Sequence, residues 1–399
     1  MKNNNKVCLV ALIVCVALLV LLLSGVTGLH VVTGDDYDTI ERYTRLEEIR
    51  GILVGNYYKE VDEDALMEGA IDGMMASLDD VYSFYYTPDE LTAHDEAEQG
   101  NFVGVGILVE RNSSNEIEIL RAYDGGPAQK AGLRTGDCII SVDGEALEAS
   151  DEQGFTENVN KLRREEGQQV CLGIRRGEDS FEVTLTCTAV TAPNVESSML
   201  EGNIGYIAIY QFAGDDVTAF EAALEELQKE GAQGLIIDLR NNHGGLLEHG
   251  AEIADDLLPE GVIVSIETRD GESYEYKSDA DYCDLPVAVL VNGGSASTSE
   301  ILSAALQDYD RATIVGTTTY GKGIVQTLVR FDDGSGMQFT SEIYYTPSGR
   351  SIHGIGVTPD VIAEEADDDV INSASPDPTK DTQLRRAIEV LTGSTDDTE

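Results

Sequence analysis

The chain has 399 residues and a formal net charge of −48. That length suits roughly two to four domains, and the charge excludes a nucleic-acid partner, which needs clustered Lys and Arg. An ordinary apolar fraction leaves enough material for a sizeable core, while the acid excess favours solubility and repulsion from anionic surfaces.

The first element is an apolar run. Lys2 and Lys6 precede residues 7–23, which carry no charge. The run is marginal for a membrane span and long for a signal-peptide core. Ser24-Gly25-Val26-Thr27-Gly28 gives no clear cleavage site. Residues 1–34 are therefore expected to be an uncleaved anchor, with a cleaved signal as the alternative. Positive charge ahead of the run keeps the amino terminus inside and sends the body across. The expected location is the cell membrane, single-pass, with the body extracytoplasmic, or released if the segment is cut.

Residues 36–100 read as a helical region. Leu46, Ile49, Ile52 and Leu53 recur at helix spacing, as do Leu66, Ala70 and Met74. Asp62-Glu63-Asp64 marks a turn and a helix start. The aromatic-rich stretch from Leu78-Asp79-Asp80 to Tyr86 breaks the period and reads as a packed loop between helices.

Residues 101–188 form a separate small β unit. Val103-Gly104-Val105-Gly106-Ile107 is a Gly-punctuated strand, and Ile117-Glu118-Ile119-Leu120 is another. A short helix fits 128–131, with Gly132 ending it. Asp143-Gly144 is a hairpin turn, and a polar-faced helix fits 156–165. Strands over 170–174 and 181–185 close the unit as a hairpin. Cys138 and Cys283 read as buried small hydrophobes. Cys171 and Cys187 flank the hairpin and are either a disulfide or two buried thiols.

Residues 189–362 alternate strands and helices, which implies an α/β core with parallel pairing. Residues 363–399 are an acidic tail in which a last short helix fits 384–391. The fold class expected is thus multidomain α+β.

Three stretches of the third unit carry chemistry. Asn292-Gly293-Gly294-Ser295-Ala296-Ser297-Thr298-Ser299-Glu300 follows an apolar strand and opens a helix. Ser297 with Glu300 reads as a capping box, or as a nucleophile at a helix start, where backbone amides await an oxyanion. Tyr320-Gly321-Lys322-Gly323 holds one of nine lysines in this acidic chain. As a general base, Lys322 needs a neutral amine, which burial favours. Gln326 lies about 13 Å along a straight strand from Lys322, so contact between them needs a bend, for which Gly323 is placed. Asp238-Leu239-Arg240-Asn241-Asn242-His243-Gly244-Gly245 ends a strand in two glycines. The amides of Gly244, Gly245 and Thr298 can point at an anion. The spacing of a phosphate-binding loop is missing. His243 raises the competing Ser-His-Asp reading, but no known local signature accompanies it. No Cys and His spacing suggests zinc, and no cofactor is expected.

Together these motifs resemble the carboxyl-terminal processing peptidases, also called tail-specific proteases. The run Pro127-Ala128-Gln129-Lys130-Ala131-Gly132-Leu133-Arg134-Thr135-Gly136-Asp137 resembles the PDZ domain of bacterial proteases. Further matches are Gly69-Ala70-Ile71-Asp72-Gly73-Met74, the Ser297 and Lys322 motifs, and Tyr345-Thr346-Pro347-Ser348-Gly349-Arg350-Ser351-Ile352. The resemblance implies a crotonase/Clp-protease-like catalytic core and a serine endopeptidase that cuts envelope proteins near their carboxyl termini. It places the nucleophile on Ser297, the base on Lys322 and a supporting glutamine on Gln326. It implies that Gly104, Val105, Gly106 and Ile107 bind the carboxyl end of protein or peptide substrates, as an added strand. A homodimer or larger homo-oligomer is also implied. The chain departs from the family at His243, usually proline, and Thr298, usually alanine. The other classes are a catalytically silent membrane-anchored PDZ adaptor and a crotonase-like acyl-thioester enzyme. Retention of Ser297, Lys322 and Gln326 argues against the first, and the PDZ unit and anchor against the second.

Overall fold

The structure, a computed structural model, describes residues 12–16, 34–98, 101–364 except 113, 124, 148–151, 163, 178 and 192, then 371 and 376–393. The chain forms two compact units, Met1–Asp79 and Asp80–Glu399. The apolar run 7–23 lies outside the described residues apart from 12–16, which are helical and exposed. Among the described residues no helix is long and apolar enough to cross a membrane.

In the first unit, helices Gly34–Asn56 and Glu63–Ala76 follow one another. The Asp62 carboxylate caps the second by accepting from the amides of Asp64 and Ala65 at 3.1 and 3.2 Å. Such caps satisfy amides that have no partner inside the helix.

The second unit begins with a departure from the sequence reading. The aromatic stretch is not a loop between helices. Phe84–Tyr86 is a strand, antiparallel to Gly336–Tyr345, with Phe84 opposite Gln338. Its partner lies some 250 residues away, so no local pattern announces it. Helix Pro88–Glu98 follows, and Arg330 grips Asp95 through two bonds of 2.7 Å. The expected helical region 36–100 is therefore divided between the two units.

The PDZ unit has its own core, centred on Ile119, Ile139, Val170, Leu172 and Ile174. Its main sheet orders Ile107–Arg111, Ile117–Ala122, Cys138–Val142, Gln169–Arg176 and Asp179–Thr186. Asp143 and Gly144 both have positive φ, 51° and 81°, as a tight two-residue hairpin turn demands. The long helix is Glu152–Asn160, starting earlier than the expected 156–165. Phe155, Val159 and Leu162 all pack on the core, and their spacing fixes the buried face. Cys171 stands opposite Thr184, not Cys187. All described cysteines are free thiols, so the disulfide alternative fails on strand register. Arg121 joins this unit to the core. It pairs with Glu196 at 2.9 Å and donates to the Tyr210 hydroxyl at 2.7 Å.

The core holds a six-stranded sheet: Val195–Leu200, Ile204–Ile209, Gly234–Asp238, Val287–Val291, Ala312–Gly316 and Val361–Ile362, in that order. The first pair is antiparallel and the rest are parallel. Strand alternation splits the buried residues between two faces. Ile237, Val289 and Ile314 pack with helices Asp216–Glu230, Leu247–Asp255 and Thr298–Asp308. Ile236, Leu290 and Val315 pack with helix Thr382–Thr392 through Leu384 and Ala387. The carboxyl-terminal helix is therefore part of the core. Arg240 clamps it: it is almost fully buried, with Asp238 and Asp381 on either side. A second sheet carries Phe84–Tyr86, Gly336–Tyr345, Gly261–Thr268 and Ser273–Ser278, with Ile324–Arg330 alongside.

The acid excess has a local cost at Asp256. Burial pushes its carboxyl up to about 6, helped by Glu221, Asp255, Asp279 and Asp281, and its buried Oδ2 has no hydrogen-bond partner among the described residues. A folded pKa above the unfolded one gives stability that is complete below about pH 4 and lost as pH rises through about 6. Asp256→Asn should therefore stabilise the protein above pH 6, by on the order of 1 kcal/mol after screening. Thermal melts at pH 7.5 and pH 4 check this; equal gains at both would refute it.

Candidate active site

Three adjacent parallel strands end at one edge of the core sheet, where open α/β sheets place their ligand sites. Gly234–Asp238 leads into the Gly244-Gly245 loop, Val287–Val291 into Ser297, and Ala312–Gly316 into Lys322. A cleft of about 480 Å3 opens there, lined by Ser297, Thr298, Lys322, Gln326, His243 and Gly245 among others.

Ser297 precedes helix Thr298–Asp308 at φ 55°, ψ −114°. That conformation is strained for a residue with a side chain, and strained strand-to-helix turns present nucleophilic serines. Both arms of the capping box are present. The Glu300 carboxylate accepts from Ser297 N at 2.9 Å. The Glu300 amide also bonds the Ser297 carbonyl at 2.8 Å, and the Ser297 side chain meets that amide without a full cap hydrogen bond. Ser297 lines the cleft.

Glu300 does more than cap. It is fully buried. One oxygen accepts from Ser297 N and from Lys322 N at 2.8 Å, the other from Gly321 N at 2.7 Å and from the Thr319 hydroxyl. One carboxylate thus holds the backbones of both Ser297 and Lys322. Tyr344, also buried, adds a second tie: its hydroxyl donates to the carbonyls of Lys322 at 2.8 Å and Ser297 at 3.2 Å. The sequence reading missed both. A signal existed for Glu300: a charged residue among Ile301, Leu302, Ala304 and Ala305 on a buried helix needs partners.

Lys322 is half-buried. Burial pushes its amine below the ordinary lysine range, against the opposing pull of Asp80 and Glu300. Among the described residues the amine has no ion pair and lies over the Tyr82 ring, 4.8 Å from its centroid. Gln326 lines the same cleft, and its buried Nε2 has no hydrogen-bond partner among the described residues. The strand pairing shifts register between Val325 and Gln326, as at a bulge.

Of the three expected oxyanion amides, one is already engaged: Gly244 N donates to the Asn242 side chain at 2.8 Å. Gly245 and Thr298 keep amides with no partner among the described residues. Gly245 must be glycine: its φ is 141°, and a Cβ would meet the Phe212 carbonyl oxygen at 2.1 Å. The Thr298 side chain also takes part, donating to the Gly245 carbonyl at 2.9 Å. Asn242 locks the loop to the serine turn, since its carbonyl accepts from Ala296 N and the Ser299 hydroxyl. His243 Nδ1 bonds the Gly294 carbonyl at 3.1 Å rather than a carboxylate, so no acid orients it as a triad base.

Gly104, Val105, Gly106 and Ile107 do not line this cleft. They sit at the start of the PDZ sheet, where Val105 O and Gly106 O accept from Ala128 N and Tyr123 N at 2.9 Å. Strand Ile107–Arg111 is the outer strand of its sheet.

Comparison with known proteins gives the family. A family model described as peptidase family S41 matches residues 203–363, and a PDZ domain model matches 118–176. A "Probable CtpA-like serine protease" of Staphylococcus saprophyticus is 32% identical over 91% of this chain and 74% of its own length. The chain belongs to peptidase family S41. The namesake protein of Staphylococcus aureus strain COL is 35% identical over 79% of this chain, and the match spans 64% of that relative's length. A model for the N-terminal domain of the activating protease CtpB matches residues 29–90. Among solved structures, the photosystem II D1 C-terminal processing protease has a TM-score of 0.53 and 31% identity, covering 83% of this chain and 92% of its own. The S41 resemblance thus spans the helical, PDZ and core regions alike.

Proposed function

We propose that the protein is a serine endopeptidase with a Ser/Lys dyad that cuts envelope proteins near their carboxyl termini. The observation that carries this reading is the strained Ser297 sharing a cleft with a half-buried Lys322 that has no ion pair among the described residues. Neutral Lys322 takes the Ser297 proton as Oγ attacks the scissile carbonyl. The amides of Gly245 and Thr298 receive the oxyanion. The ammonium then protonates the leaving amine. Water, deprotonated by the same lysine, hydrolyses the ester and frees Ser297. The Gln326 side-chain oxygen accepts from the lysine N–H and orients it.

The reading extends to recognition and location. The outer PDZ strand accepts the substrate's tail as an added strand, with the terminal carboxylate at the Gly104–Ile107 turn. Residues 7–23 anchor the protein with its body outside the cytoplasm. The helical first unit presents exposed Leu46, Ile49, Ile52 and Met74, suited to a second copy.

Incubation of the purified chain with an unstructured protein, with cut sites mapped by mass spectrometry, tests the activity. A substrate ending in a free apolar carboxyl terminus should be cut about tenfold faster than one ending in Asp-Asp. A PDZ groove buries the last side chain, and burying an unpaired carboxylate there is costly. The net charge of −48 repels such a tail further. Equal rates on both tails would sink tail recognition while leaving the Ser/Lys chemistry standing.

A further inference from the structure

The amine of Lys322 is covered by a segment that neither the serine turn nor the glycine loop supplies. Tyr82 lies under it, ring centroid 4.8 Å away. Its placement is determined from several sides. Tyr82 N donates to Asp80 Oδ1 at 3.0 Å, and Gln338 Nε2 donates to Tyr82 O at 3.3 Å. The Tyr82 hydroxyl donates to that of Tyr320 at 3.2 Å. The Asp80 carboxylate also takes the Ser83 hydroxyl, whose oxygen accepts from Thr340 N at 3.0 Å. Strand Phe84–Tyr86 then pins the segment to the sheet. A turn held this firmly beside a reactive amine is a built feature, and packing alone does not require an aromatic face there.

We propose that Tyr82 is a positioning residue that sets the protonation of the Lys322 amine by keeping water from it, with Asp80 holding Tyr82 in place. The proposal rests on the Ser/Lys reading, since only a lysine that must be neutral needs such control. The ring acts in two directions. The ring face attracts an ammonium by roughly 0.5–2 kcal/mol, but exclusion of water from a buried amine acts more strongly the other way. Burial is likewise the leading influence on Lys322, and Asp80 and Glu300 oppose it. The other titratable groups around it are Tyr320 beside Tyr82, His353 beside Asp80, Tyr344 on the lysine carbonyl, and His243, His94, Glu248, Tyr86, Tyr274 and Tyr276 lining the cleft.

The test titrates Lys322 directly, without turnover. In the full chain carrying Ser297→Ala, competitive acetylation with acetic anhydride across pH, read on the Lys322 peptide by mass spectrometry, gives the amine's midpoint. Tyr82→Phe should leave it unchanged. Tyr82→Ala should raise it by at least about half a pH unit as water reaches the ammonium, and Tyr82→Leu, which covers the amine without a ring face to attract it, should lower it. If Tyr82→Ala does not fold, the downward shift with Tyr82→Leu must still appear. An unmoved midpoint in a folded Tyr82→Ala, or no downward shift in Tyr82→Leu, overturns the proposal. Cleavage of an unstructured protein by the same variants with Ser297 restored is run in parallel. If the parent cleaves nothing while the midpoints shift as stated, the peptidase reading fails and this one stands.

Discussion

Ser297→Ala should abolish cleavage of an unstructured protein, a loss of at least about 10^4-fold, with the fold intact. A nucleophile removed from a unit of interacting catalytic groups costs nearly the whole of their effect. The fold should tolerate the change because the serine arm of the capping box forms no full cap hydrogen bond. Glu300 still holds the backbone amide, and alanine meets the same strain at φ 55° as serine. The melting transition should shift by no more than about 1 kcal/mol in stability. An alanine variant that cleaves at the parent rate would leave the PDZ adaptor or another chemistry as the reading.

Lys322→Ala and Lys322→Arg should both be inactive, by about 10^2- to 10^4-fold or more, the usual contribution of a general base. Arginine is the sharper test. It keeps the charge, yet it stays protonated at any workable pH and cannot accept the serine proton. If the lysine only supplied positive charge to the cleft, Lys322→Arg would retain much of the activity. Because Glu300 and Tyr344 hold the position through backbone atoms of Lys322, side-chain replacement should leave the local backbone in place.

How far the sequence foretold this site depended on whether each signal was local. Ser297, Lys322 and the paired glycines stand directly after apolar strands, and strand-helix alternation placed those strands side by side in one parallel sheet. The Asp143-Gly144 turn was legible because its chemistry sits in two residues. The second layer was hidden. Glu300 looked like half of a capping box, because its bonds to Thr319, Gly321 and Lys322 join different segments. Gly244 looked like an oxyanion donor, because nothing local shows that Asn242 takes its amide. Tyr82 looked like loop packing, because its partners lie about 240 residues further along. The carboxyl-terminal helix looked like tail, because the Arg240–Asp381 pair that seats it spans the domain.

The most direct test of the central claim, that Lys322 is the base for Ser297, is the pH dependence of kcat/KM on a peptide substrate. This quantity reports the essential groups of the free enzyme. The active lysine is the neutral one, so the rate should rise with pH through a single ionisation. Because burial lowers that amine's pKa, the midpoint should fall below the ordinary lysine value of about 10.4. The profile should be the same in His243→Ala and in the presence of a chelator. A profile centred near the imidazole value of about 6.5, with His243→Ala inactive, would contradict the account and assign the base to His243.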